Sequence, residues 1–142
     1  MSPSLKKDAI ELLRQLIEIP SFSREENLTA DLLIKFFEKN NVTVSRHLNN
    51  VWSVNQFYAP EKPTLLLNSH HDTVKPNPAY TRDPFKATLD GNILWGLGSN
   101  DAGGPLVSLI ATYLEFYNRK DLPFNLALAA TAEEEISGVN GI

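Results

Sequence analysis

Two short apolar runs constrain this chain most. Residues 64–69 (TLLLNS) and 124–131 (FNLALAAT) both break off into ionisable side chains. The first runs into His70, His71 and Asp72, the second into Glu133, Glu134 and Glu135. Runs of this length between turn signals predict strands, and a run that is apolar on both faces, such as 64–69, predicts a central strand. Between them, Gly-rich 96–104 (GLGSNDAGG) leads into Leu106, Leu109, Ile110, Tyr113, Leu114 and Tyr117, which recur at helical spacing.

The rest of the chain alternates in the same way. Leu5, Leu12, Leu13, Leu16 and Ile17 predict a first helix that opens at Ser2-Pro3 and stops at Ile19-Pro20. Ser23 and Glu26 have the Ser-x-x-Glu form of a capping box ahead of a second helix carrying Leu28, Leu32, Leu33, Phe36 and Phe37. Residues 42–57 predict two strands joined at Asn49-Asn50, residues 75–86 a loop, and 87–96 a hairpin around Asp90-Gly91. The fold class is therefore α/β, with a central mixed, largely parallel sheet flanked by helices.

Composition narrows the chemistry. The 142 residues suffice for one domain with its own core. A net charge of -4 disfavours nucleic acid and anionic membrane partners. There is no cysteine, so a metal must use His and carboxylates, and a reducing cytoplasm is the expected location. Charged Glu11, Arg14 and Glu18 exclude a signal peptide or a membrane span over the first twenty residues.

Three ionisable clusters lie where an open α/β sheet builds its ligand site, beyond the carboxyl ends of strands. In His70-x-Asp72 the imidazole can ligate a metal while the carboxylate holds its other nitrogen. The same residues can also merely cap a strand. Asp101 can approach an ion closely on its Gly-rich loop, or only favour the N-terminus of the following helix. Glu133, Glu134 and Glu135 repel one another unless a dication or solvent offsets the charge. With a dication, one could serve as ligand and another as general base.

In this order the three motifs resemble the zinc aminoacylase and peptidase family of acetylornithine deacetylase, succinyl-diaminopimelate desuccinylase and the glutamate carboxypeptidases. The resemblance spans nearly the whole chain. It rests on His70-His71-Asp72-Thr73-Val74-Lys75-Pro76, on Gly96-Leu97-Gly98-Ser99-Asn100-Asp101 and on Glu133-Glu134-Glu135. It implies a zinc-peptidase-like catalytic domain with two divalent metal ions, zinc first and cobalt or manganese as substitutes. His70 and Glu135 are implied as terminal ligands of different metals, Asp101 as the bridging ligand, Glu134 as the general base and Asp72 as the partner of His70. A cis Asp101–Ala102 peptide is implied too. Ser69, Leu97 and Gly103 depart from residues common in the family, and none is a ligand.

The resemblance also implies a further carboxylate and a late His, a lid or dimerisation domain, and a homodimeric full-length enzyme. On that basis residues 1–142 are expected to be the N-terminal part of the catalytic domain, binding metal weakly and hydrolysing negligibly alone. The expected activity is metal-dependent deacylation of a small N-acyl amino acid, N-acetylornithine or N-succinylornithine in arginine biosynthesis. Succinyl-diaminopimelate desuccinylation and di- or tripeptide hydrolysis are the alternatives within the family. A non-catalytic binding module on the same fold is the alternative outside it. His71 is expected to face away from the metals, since adjacent strand residues point to opposite sides. His47 is expected to be exposed. Tyr80, Arg82 and Lys75 are read as solvated loop residues or substrate contacts.

Overall fold

A computed structural model describes residues 2–141. Helix α1 (Pro3–Glu18) starts where the Ser2 hydroxyl oxygen accepts the Leu5 N–H at 3.2 Å with Pro3 in the first turn, and it ends at extended Ile19. Helix α2 (Asn27–Lys39) buries Ala30, Leu33 and Phe37. The expected capping box does not form. Ser23 donates its hydroxyl to Asp72 Oδ2 at 2.7 Å, and Glu26 is fully buried with no side-chain capping bond to α2. Buried acceptors and donors elsewhere in the fold claim both side chains.

Strands β1 (Ser45–His47) and β2 (Asn50–Val54) form an antiparallel hairpin. Strand β3 (Thr64–His70) follows, and then the separate hairpin of β4 (Thr88–Asp90) and β5 (Ile93–Trp95). Helix α3 (Gly104–Phe116) leads to β6 (Asn125–Thr131). The main sheet runs β1-β2-β6-β3 and is mixed: β6 is parallel to β3 and antiparallel to β2.

Strand β3 is not central. Among the described residues it lies at the sheet edge, and the returning β6 takes the middle between β2 and β3. Leu65 and Leu66 are about half exposed, at 49% and 50%. An apolar run reports the burial a strand can use, not the order of its neighbours, so 64–69 and 124–131 look equally central in sequence. Register places Val51, Leu126, Leu128 and Ala130 on one face, where they pack with Leu12, Leu33, Phe37, Leu106, Ile110 and Tyr113 of the three helices. The opposite face presents Trp52, Val54 and Leu66 to solvent. The Tyr113 hydroxyl donates to Ser53 Oγ at 2.8 Å inside the core, and burial pushes its pKa up. No helix among the described residues is long and apolar enough to cross a membrane.

The parallel register sets the site. His70 at the end of β3 lies opposite Thr131 at the end of β6, so both strands deliver their following residues to one rim of the sheet.

Candidate metal centre

His70 is built into that rim by Asp72. Its Nδ1 lies 3.1 Å from the Asp72 carbonyl and 3.4 Å from Asp72 Oδ1. This leaves Nε2 facing Asp101 Oδ1 at 3.1 Å and Glu134 Oε2 at 3.6 Å. The hydrogen bond to Asp72, helped by the charges of Asp72 and Glu134, raises the His70 pKa to about 9 against the opposing effect of burial.

Asp72 is fully buried. Burial alone would raise its pKa, but bonds from His70, Ser23 and the N–H groups of Glu135 and Glu134 hold it at about 2. Its Oδ1 accepts Glu134 N–H and its Oδ2 accepts Glu135 N–H, each at 3.1 Å. One carboxylate therefore orients the imidazole and pins the acidic turn.

Asp101 arrives on an irregular turn, Ser99–Gly103, between β5 and α3. Gly98 precedes it with φ +74, and a Cβ there would meet Thr73 Cγ2 at 2.7 Å, so the loop lies directly against the residue after Asp72. The Asp101–Ala102 peptide is cis, as the resemblance implies. The Asp101 side chain is 78% exposed.

The three glutamates separate. Glu133 has left-handed backbone (φ 57) and turns its side chain inward, where Oε1 accepts Asn140 Nδ2 at 2.9 Å and Oε2 lies 3.8 Å from Arg24 Nε. Glu134 and Glu135 stand on a single turn, Glu134–Ile136, beside His70. Burial and the neighbouring Asp101 charge raise the Glu135 pKa. The acidic run is thus one buried anchor and two site carboxylates, a division hidden in the sequence.

His70, Asp101 and Glu135 each offer a ligand atom, all within 4.8 Å of one another. One imidazole nitrogen with its tautomer fixed from behind, plus the two carboxylates of Asp101 and Glu135, is a donor set that suits a divalent cation. Glu134 stands beside this set with its side chain 57% exposed. His71 points the other way: burial lowers its pKa, its Nε2–H donates to the Asn49 carbonyl at 2.9 Å, and Nδ1 lies 2.8 Å from the Thr29 hydroxyl. His47 is exposed. Arg82 covers Trp95, 4.4 Å from the ring centroid, and lies 3.4 Å from Asp90.

Sequence reasoning missed Ser23, Glu26 and Asn49 as supports of this site. Ser23 and Glu26 were visible as the Ser-x-x-Glu pattern, which local geometry assigns to helix capping, and Asn49 as half of the Asn49-Asn50 turn.

This fold is shared with known metallopeptidases. The chain superposes on an M20 family metallo-carboxypeptidase from Sulfolobus solfataricus with TM-score 0.79 at 24% identity, covering 99% of this chain and 33% of that one. It also superposes on the Bacillus subtilis YXEP protein, a dinuclear metal-binding peptidase of the M20 family, with TM-score 0.71 at 17% identity, covering 99% and 38%. In sequence it is 28% identical over 142 residues to succinyl-diaminopimelate desuccinylase of Blochmanniella floridana, covering 94% of this chain and 37% of the relative. It is 31% identical over 139 residues to acetylornithine deacetylase of Buchnera aphidicola, covering 89% and 36%. The profile of peptidase family M20/M25/M40 matches residues 66–142, and the chain belongs to this family of hydrolases. It spans a little over a third of the length of these curated relatives.

Proposed function

We propose that this chain contributes His70, Asp101, Glu135, Glu134 and Asp72 to a two-metal amidohydrolase acting on a small N-acyl amino acid. The observation that carries the reading is the convergence of His70, Asp101 and Glu135 within 4.8 Å, with buried Asp72 behind them. Divalent ions would be held by His70, Glu135 and Asp101, with His70 and Glu135 on separate ions and Asp101 shared by both. Zinc fits this thiolate-free set of imidazole and carboxylates.

Ions held there supply Lewis-acid activation of water and of an amide carbonyl. The residues of the chain do the rest. Asp72 accepts from His70 Nδ1 and so directs Nε2 to the ligand side. Its grip on the Glu134 and Glu135 N–H groups keeps both side chains on the rim. Glu134, next to the ligand set yet largely exposed, takes the proton of the attacking water at its carboxylate and returns it to the leaving amine.

N-acetylornithine is the first substrate choice, with N-succinylornithine beside it, in keeping with the acetylornithine deacetylase relative and a place in arginine biosynthesis. The desuccinylase relative supports N-succinyl-diaminopimelate as the second choice. The span of only a third of the relatives' length supports the view that residues 1–142 are the N-terminal part of the catalytic domain, the remaining ligands lying outside them. The full-length enzyme is taken to be cytoplasmic. The test is a panel of N-acetylornithine, N-succinylornithine, N-succinyl-diaminopimelate and di- and tripeptides, offered to the full-length protein with zinc and after chelation. Zinc-dependent release of acetate from N-acetylornithine is expected. Absence of hydrolysis across the panel with zinc bound would favour a binding module.

A further inference from the structure

Among the described residues, Glu26 is a fully buried carboxylate without a place in the chemistry above. It lies at the start of α2, 107 residues from the turn it touches. Its Oε1 accepts Arg24 N–H at 2.8 Å and Glu133 N–H at 3.1 Å, and its Oε2 accepts Asn49 Nδ2 at 2.8 Å. Each oxygen of this buried carboxylate therefore meets a donor, which makes its burial tolerable.

The contact to Glu133 continues a series. Glu133 N–H goes to Glu26, Glu134 N–H to Asp72 Oδ1 and Glu135 N–H to Asp72 Oδ2. Three successive amides thus end on two buried carboxylates from different parts of the chain. The left-handed backbone at Glu133 aims them together, and Gly138 N–H closes the turn onto the Glu133 carbonyl at 2.8 Å. Asp72 fixes the far side of the turn and Glu26 fixes its root. Without Glu26, the Glu133 amide would be buried and unpaired, and the turn would be free to swing about Asp72.

We propose that Glu26 is a positioning residue for the metal-site turn, holding Glu133 so that Glu134 and Glu135 face His70 and Asp101. The roles of Glu134 and Glu135 in this statement rest on the proposed function, whereas the anchoring itself does not. Neither charge nor burial alone performs this task. What matters is an acceptor oxygen at the reach of a glutamate side chain.

Two substitutions in the full-length protein separate these possibilities. Glu26→Gln keeps the length and one acceptor oxygen. Glu26→Asp keeps the charge but withdraws the acceptor by one methylene. Hydrogen exchange of the 133–135 amides in the metal-free protein reads the anchor, and titration with zinc alone against a competing chelator reads its effect on the ligands. In the wild type these amides are expected to exchange as slowly as those of β6. Glu26→Asp is expected to speed their exchange while leaving β6 unchanged, and to weaken zinc binding about 10-fold or more, the low end for residues that support metal ligands. Glu26→Gln is expected to stay within about threefold of the wild type, by analogy with that range. Where the wild type hydrolyses its substrate, Glu26→Asp is expected to lower kcat and leave KM within about twofold, as for loss of an interaction used only in the reaction. Fast exchange of 133–135 in the wild type overturns the proposal even if neither variant folds. So does a Glu26→Asp protein with wild-type exchange and zinc affinity, or a Glu26→Gln protein as impaired as Glu26→Asp. An inactive wild type with slow 133–135 exchange would refute the hydrolase reading and leave the anchor standing.

Discussion

Nδ1 of His70 and Oδ1 of Asp72 lie 3.4 Å apart in the buried rim of the sheet, and this pairing decides which imidazole nitrogen faces Asp101. The same carboxylate takes the Ser23 hydroxyl and two backbone N–H groups, so one side chain from the β3 end ties the N-terminal segment to the turn after β6.

Asp72→Ala should therefore do more than loosen one ring. It leaves the Glu134 and Glu135 amides without their acceptor and leaves His70 Nδ1 with only the backbone carbonyl of residue 72. Zinc affinity of the full-length protein, measured by chelator competition, is expected to fall about 10–100-fold. Urea denaturation is expected to show a loss of about 1–3 kcal/mol or more from the unpaired buried groups. Unchanged affinity would mean that the ring is held by something other than the Asp72 carboxylate.

Glu134→Gln tests the base separately from the ligands. The Glu134 side chain is largely exposed, and its backbone N–H bond to Asp72 survives the change. Zinc stoichiometry and melting temperature should match the wild type, while kcat drops by about 10²–10⁴-fold, the range for a lost general base.

The two adjacent histidines should behave oppositely. His70→Ala removes a proposed ligand and should cut zinc affinity. His71→Ala removes a buried ring bonded to Asn49 and held near Thr29, so it should cost about 1–3 kcal/mol of stability. Its effect on zinc affinity should be small. Isothermal titration and urea melts of the two variants read this directly.

The metal-free protein should lose stability towards both acid and alkali. Asp72 has a folded pKa of about 2, below its ordinary 3.8, so its contribution is complete above 3.8 and is lost as pH falls through about 2. His70 has a folded pKa of about 9, above its ordinary 6.5, so its contribution is complete below 6.5 and is lost as pH rises through about 9. The contributions of these two groups are both complete between 3.8 and 6.5, so the urea midpoint of the wild type should exceed that of a variant lacking the Asp72–His70 pair by most in that interval. Saturating zinc takes the place of the His70 proton and should remove the alkaline decline.

Much of this was legible in the sequence because the relevant signals are local. Helical spacing marks α1, α2 and α3, and the resemblance carried by the three motifs implies His70, Asp101 and Glu135 as the proposed ligands. Alternation along β3 already turns His71 away from His70. What stayed hidden depends on partners distant in the chain. The central position of β6 follows from how two apolar strands are ordered in space, which neither strand encodes alone. Ser23 and Glu26 have the spacing of a helix cap, yet Asp72 and Glu133 claim them from 49 and 107 residues away. The inward turn of Glu133 likewise depends on Asn140 and Arg24 rather than on its acidic neighbours.

The central claim is that His70, Asp101 and Glu135 hold divalent ions. Anomalous diffraction at the zinc edge from crystals of the full-length protein tests it most directly. Anomalous density within coordination distance, about 2.0–2.2 Å, of His70 Nε2 and of the Asp101 and Glu135 carboxylates is the expected result. Zinc bound elsewhere in the molecule, with these three side chains touching no ion, would contradict it.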